Sequence, residues 1–125
     1  MLFRSNAALQ VLLGGSVGQT LNPCYYGPNS SLRFANTVDY QVGPNDKTWA
    51  AGAINSGLPG IPANVDINDA GTDLTLNDTR ALTGNLTITN GTFTLSNSYN
   101  GSFNIGGNWT RTGASSNFKI GRAHV

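Results

Sequence analysis

Between Gly84 and Thr110 the chain repeats one short figure: an apolar residue, a polar one, then another apolar one. Leu86-Thr87-Ile88, Phe93-Thr94-Leu95 and Phe103-Asn104-Ile105 all read this way. Successive side chains of a strand leave opposite faces, so each triplet sets two apolar side chains together and one polar side chain opposite them. Asn-Gly, Gly-Gly and Ser-Asn clusters stand between the triplets. Those residues turn a chain tightly. The figure returns upstream as Leu9-Gln10-Val11, Leu32-Arg33-Phe34, Val65-Asp66-Ile67 and Leu74-Thr75-Leu76, and Val38 to Val42 alternates over five residues.

The spacing of the triplets predicts how they assemble. Leu9 and Leu32 lie 23 residues apart, Val65 and Leu86 21, Leu74 and Phe93 19, and Leu86 and Trp109 23. A period of about 20–23 residues is the length of one rung of a stacked coil. A lone rung cannot hold itself together, because ordering costs roughly 1–2 kcal/mol per residue. Each buried aliphatic or aromatic side chain returns only about 1.5–3 kcal/mol. Rungs that share one core escape that limit. The expected fold is therefore all-β: a parallel β-helix (β-solenoid) with short strands and Asn/Gly-rich turns, spanning residues 1–118 as a single unit. Asparagines at its corners are placed to form hydrogen-bonded ladders. The pattern lapses over about 43–62, where Asn55-Ser56-Gly57, Pro59-Gly60 and Pro62 signal a long loop. Trp49 is expected to anchor that loop against the stack, with ligand stacking as its competing role.

Composition narrows the function classes. No Glu occurs and only 10% of residues are charged, whereas Asn, Thr, Ser and Gly abound. Exposed helix faces need the residues that are scarce here. The net charge is +1 and the basic residues are scattered, so no nucleic-acid partner is expected. Cys24 is the single cysteine and forms no intramolecular disulfide. No apolar run reaches the length of a membrane span. Met1 to Val17 reads as a first triplet with a Gly14-Gly15 turn rather than a signal peptide, since Asn6 and Gln10 interrupt the apolar run. Met1 is then expected to be an internal methionine. Residues 119–125 read as a tail that is not native. Ile120-Gly121-Arg122-Ala123-His124-Val125 resembles the translation of a common short-read sequencing adapter, and Lys119 fits its preceding bases. This reading ends the genuine sequence near Phe118 and sets aside His124, the only histidine.

From Tyr26 to Thr110 the chain resembles repeat-bearing cell-surface proteins of gliding Gram-negative bacteria, often exported by the type nine secretion pathway. The resemblance rests on Tyr26-Gly27-Pro28-Asn29-Ser30-Ser31-Leu32, Trp49, Ile61-Pro62-Ala63-Asn64-Val65, Leu82-Thr83-Gly84-Asn85-Leu86-Thr87-Ile88 and Gly106-Gly107-Asn108-Trp109-Thr110. It implies a large secreted adhesin-like protein at the outer face of the cell, used in attachment or display. It supplies no catalytic residues. Surface polysaccharide or another cell-surface protein is the partner it implies.

Candidate chemistry is sparse. With no histidine outside the tail, no triad base is available, and an enzyme is not expected. No cofactor fingerprint is present. Asp66, Asp69, Asp73 and Asp78 form the best acidic cluster, and the first three are the candidate metal ligands. Ala70 interrupts them where an oxygen is needed, so caps on turns and strand ends are the favoured reading. Trp49, Tyr99 and Trp109 are the candidates for stacking on sugar rings. Two rivals follow. A carbohydrate-binding β-sandwich would pair its strands as antiparallel hairpins, and a polysaccharide lyase or hydrolase would gather Asp66, Asp69 and Asp73 on one lateral face. Six Asn-x-Ser/Thr sequons are present, a number expected by chance in a chain this rich in Asn and Thr.

Overall fold

The structure is a computed structural model that describes residues 2–3, 6–12, 22–52, 59–96 and 101–120. Among these residues the chain forms strands and turns only. The strands are β1 (Leu2–Phe3), β2 (Ala8–Val11), β3 (Tyr25–Tyr26), β4 (Ser31–Phe34), β5 (Tyr40–Val42) and β6 (Asn64–Leu76). After them come β7 (Arg80–Leu82), β8 (Leu86–Leu95), β9 (Phe103–Ile105), β10 (Trp109–Arg111) and β11 (Ser116–Ile120). Every described pairing is parallel. This is a β-solenoid of about four turns. The antiparallel sandwich is overturned.

Three columns of strands build the coil. The first runs β2-β4-β6-β8-β10 and aligns Leu9, Leu32, Val65, Leu86 and Trp109. The second joins β5, the far half of β6, the far half of β8 and β11, aligning Tyr40, Leu74, Phe93 and Phe118. The third pairs β1 with β3 and β7 with β9. The triplets supply the inward positions: Leu32, Phe34, Ile67, Leu74, Leu76, Leu86, Ile88 and Phe93 are fully buried in one core. Apolar side chains from rungs far apart in sequence thus cover one another, as the rung energetics require.

Two details depart from the triplet reading. Val65–Ile67 and Leu74–Leu76 belong to one continuous strand, β6, bent where its register slips between Ile67 and Asp73. The inward positions change from odd to even numbers across that bend. Val38 is not part of a five-residue strand either; it stands exposed at a corner, beyond Thr37 in the left-handed region (φ 55°), and β5 begins only at Tyr40. The corner needs the turn more than the strand needs Val38. Inside it, Asn36 is buried and satisfied: its amide N–H donates to Thr72 Oγ1 (3.1 Å), Thr72 Oγ1 donates to its Oδ1 (3.3 Å), and its Nδ2 donates to the Val38 carbonyl (2.9 Å).

Between the third and first columns the corner is held by asparagines. The Asn85 amide donates to Asn64 Oδ1 (3.0 Å) and the Asn108 amide to Asn85 Oδ1 (2.8 Å), while Asn64 Nδ2 donates to the Ser30 carbonyl (3.1 Å). The ladder works because the preceding glycines let successive turns approach. Gly84 N–H meets the Ala63 carbonyl at 2.6 Å and Gly107 N–H meets the Gly84 carbonyl at 2.7 Å. Asn85→Ala removes the acceptor for Asn108 and is expected to lower stability by about 0.5–1.5 kcal/mol. Urea melts of the two proteins check this; an unchanged midpoint would mean that water replaces the ladder at no cost.

Candidate functional site

One rung is longer than the rest: Leu32 to Val65 takes 33 residues. The extra length leaves after β5 and returns before β6, and its described residues, 43–52 and 59–63, pack beside the third column of strands. Backbone bonds stitch it in. Cys24 N–H donates to the Lys47 carbonyl (3.3 Å), Gly60 N–H to the Cys24 carbonyl (2.6 Å), and Ala50 N–H to the Gly60 carbonyl (2.9 Å).

Asp46 organises the start of this excursion. Its Oδ1 accepts the amides of Thr48 (2.8 Å) and Trp49 (2.9 Å), and its Oδ2 accepts the Tyr40 hydroxyl (2.8 Å). A short side chain taking the amides two and three residues on is a local turn device. The turn delivers Trp49 into the core, where it is 0% exposed. Its Nε1 donates to the Ala81 carbonyl (2.9 Å), and its ring meets Phe103 edge-on at 6.1 Å. Tyr26 donates its hydroxyl to the Thr48 carbonyl (2.5 Å). Arg80 is also fully buried, donating Nη1 to the Thr79 carbonyl (2.7 Å) and Nη2 to the Gly43 carbonyl. Carbonyl oxygens so placed offset the desolvation of a guanidinium.

Burial, followed by neighbouring groups that include the Asp46 carboxylate, pushes the Tyr26 and Tyr40 phenols well above their ordinary values. Burial likewise raises the Cys24 thiol. A phenol whose folded value is raised contributes stability that is complete below the unfolded value of about 10 and is lost as pH climbs beyond it. The melting temperature should therefore fall above pH ~10, and Tyr40→Phe should flatten that fall. Thermal melts across alkaline pH measure both. An equal slope in the variant would remove Tyr40 as a source.

Beside the excursion lies a cavity of about 440 Å³, lined by Tyr26, Pro28, Asn29, Ile61, Asn64 and Thr83 among others. Its lining mixes apolar side chains with amides and a hydroxyl, and Asn64 links it to the asparagine ladder. Volume and lining suit a small polar ligand in outline.

The residues singled out in the sequence are dispersed. Trp49 is enclosed and presents no ring face to a ligand. Tyr99 lies outside the described residues. Trp109 is 45% exposed, with its ring edge-on to Phe118 at 4.4 Å. Asp66 accepts Arg33 Nε (3.0 Å) and Thr89 Oγ1 (3.0 Å). Asp69 accepts the Gly71 amide (2.8 Å) at the bend of β6. Beyond that bend Asp73 accepts Thr94 Oγ1 (2.7 Å) and lies 3.9 Å from Lys119 Nζ. Each carboxylate is thus occupied with a neighbouring rung or turn. No group of three or more metal-ligating side chains comes together among the described residues. Lys119 and Ile120 take part in β11, two residues into the segment read as adapter-derived.

No family model, curated protein or solved structure matches the chain. The site therefore rests on its own geometry. Asp46, Tyr40, Asn36, Thr72 and Arg80 were not singled out in the sequence. Asp46 had a signal, an Asp two residues before Thr48 in a turn-rich stretch. Arg80 had none, since an arginine after a turn usually faces water.

Proposed function

We propose that this chain is a structural and adhesive segment of a large secreted bacterial surface protein, with the coil as a stiff spacer. The observation that carries the reading is how the polar side chains are spent. Asp66, Asp73, Asn64, Asn85, Asn36 and Thr72 all bridge one turn to the next, and so serve the length of the coil. Recognition would then sit where the regular wall is broken, at the excursion and the cavity between Asn29 and Thr83. The exposed amide of Asn29 and the half-buried hydroxyl of Thr83 there suit the hydroxyls of a surface polysaccharide. No helix among the described residues is long and apolar enough to cross a membrane.

The test is retention of the purified chain on immobilised bacterial surface polysaccharides, with Asn29→Ala and Thr83→Val as corner variants. Retention that drops about tenfold in the variants, with the polymer left at full length, is the expected result. Shortening of the polymer would replace the adhesive reading with a hydrolytic one. Equal retention by wild type and variants would place recognition away from this corner.

A further inference from the structure

The cavity between Asn29 and Thr83 lies where three successive turns of the coil round one corner. Pro28 and Asn29 come ahead of β4, Ile61 to Asn64 ahead of β6, and Thr83 and Gly84 ahead of β8. Neighbouring parallel strands stand about 4.8 Å apart, so the backbones of Asn29 and Thr83, two turns apart, are separated by about 10 Å. That gap has room for one sugar ring laid across the middle turn. Of the lining residues, Tyr26, Ile61 and Ala63 are buried, Pro28 and Asn29 are exposed, and Thr83 is half-buried.

The polar groups of the corner divide into those already committed and those still available. Asn64 N–H donates to the Ser30 carbonyl (3.0 Å), Thr83 N–H to the Pro62 carbonyl (3.1 Å) and Gly84 N–H to the Ala63 carbonyl (2.6 Å). The Ser30 amide and hydroxyl both take the Gly27 carbonyl (3.1 and 2.7 Å). An extended peptide binds through its main chain, and here these backbone groups already join one turn to the next. The Asn64 side chain is held by Ser30 and Asn85. By contrast, the Asn29 amide and the Thr83 hydroxyl bond to no described residue. They are the groups left to meet a ligand.

Charge sets the first condition on that ligand. No charged side chain lines the cavity. The charged residues closest in sequence are engaged elsewhere: Arg33 with Asp66, and Arg80 with the Thr79 and Gly43 carbonyls. A carboxylate or phosphate entering here would shed water and gain no cation in return. The apolar lining sets the second condition. Pro28, Ile61 and Ala63 favour a group without a hydroxyl, and an acetamido substituent brings a methyl to them. Its amide N–H and carbonyl match a side chain such as Asn29, which both donates and accepts. A ring hydroxyl then falls to Thr83.

We propose that this cavity is a subsite for an uncharged sugar residue bearing an acetamido group, with Asn29 and Thr83 as its specificity-determining side chains. The proposal rests on the polysaccharide reading above and adds which sugar the corner accepts.

Calorimetric titration of the full chain with three tetrasaccharides tests this: one of N-acetylglucosamine, one of glucose and one of galacturonic acid. The acetamido chain should bind at least tenfold tighter than the glucose chain, and the acidic chain should give no binding heat. Thr83→Val keeps the volume and removes the hydroxyl. Asn29→Asp keeps a residue that tolerates the left-handed turn (φ 58° at Asn29) but loses the donors and adds a charge. Each should weaken binding of the acetamido chain about tenfold, with circular dichroism confirming unchanged sheet content. Equal affinity for the acetamido and glucose chains, tighter binding of the acidic one, or undiminished affinity in both variants would overturn the proposal. So would the absence of binding heat with all three. Retention on surface polysaccharides then decides separately: a retained chain leaves the adhesive reading standing without this sugar preference, and an unretained one removes both.

Discussion

Trp49→Ala should destabilise the protein by about 3–5 kcal/mol, the range for removing a large buried aromatic side chain. The substitution does more than leave a hole. Trp49 is the largest side chain that the described residues of the excursion send into the core, and its Nε1 closes the Ala81 carbonyl of the next turn. Without it that carbonyl loses its partner, Phe103 loses its edge contact, and the Asp46 turn holds nothing in place. Urea unfolding followed by tyrosine fluorescence measures the loss. A change below about 1 kcal/mol would show that the excursion is laid over a coil that is complete without it.

Gly91→Ala is expected to be nearly as damaging, by a different route. Gly91 has φ at 98°, where an L side chain is strained by roughly 1–3 kcal/mol. A methyl group there would also stand 2.4 Å from the Asp69 carbonyl oxygen and 2.8 Å from that of Thr72. Both are backbone atoms of the adjoining turn, which cannot rotate away. Relief requires β6 and β8 to separate at their shared bend. A loss of at least about 3 kcal/mol is expected, with weaker amide protection at Asp73 to Leu76 in hydrogen exchange. Protection that stays uniform would mean that the bend opens without disturbing the pairing beside it.

The two substitutions mark what the sequence made legible. Triplets such as Leu32-Arg33-Phe34 and Leu86-Thr87-Ile88 carry their own face assignment, and their spacing implies stacking. The same local rule therefore foretold both the inward residues and the parallel pairing. The corner asparagines were readable too, because Gly84-Asn85 and Gly107-Asn108 recur at the rung period. The bend within β6 was not. Continuing a strand through a change of inward parity depends on the neighbouring turn bending with it, which no single stretch records. The network around Asp46 joins residues from Tyr26 to Trp49 across a loop of irregular composition, so no period pointed to it. Arg80 was hidden for a related reason: its partners are carbonyls, which every residue has.

The 2.9 Å bond between Ala50 and Gly60 closes the excursion at its base. The clasp ties Ala50 to Gly60 directly, so the path from β5 to β6 is fixed at that bond. Doubling a flexible loop costs only about 0.6 kcal/mol in closure entropy. A peptide of foreign sequence could accordingly be spliced in past the clasp while the tube beneath kept its register, which makes this site a natural place for new binding specificities to be installed by evolution or by engineering.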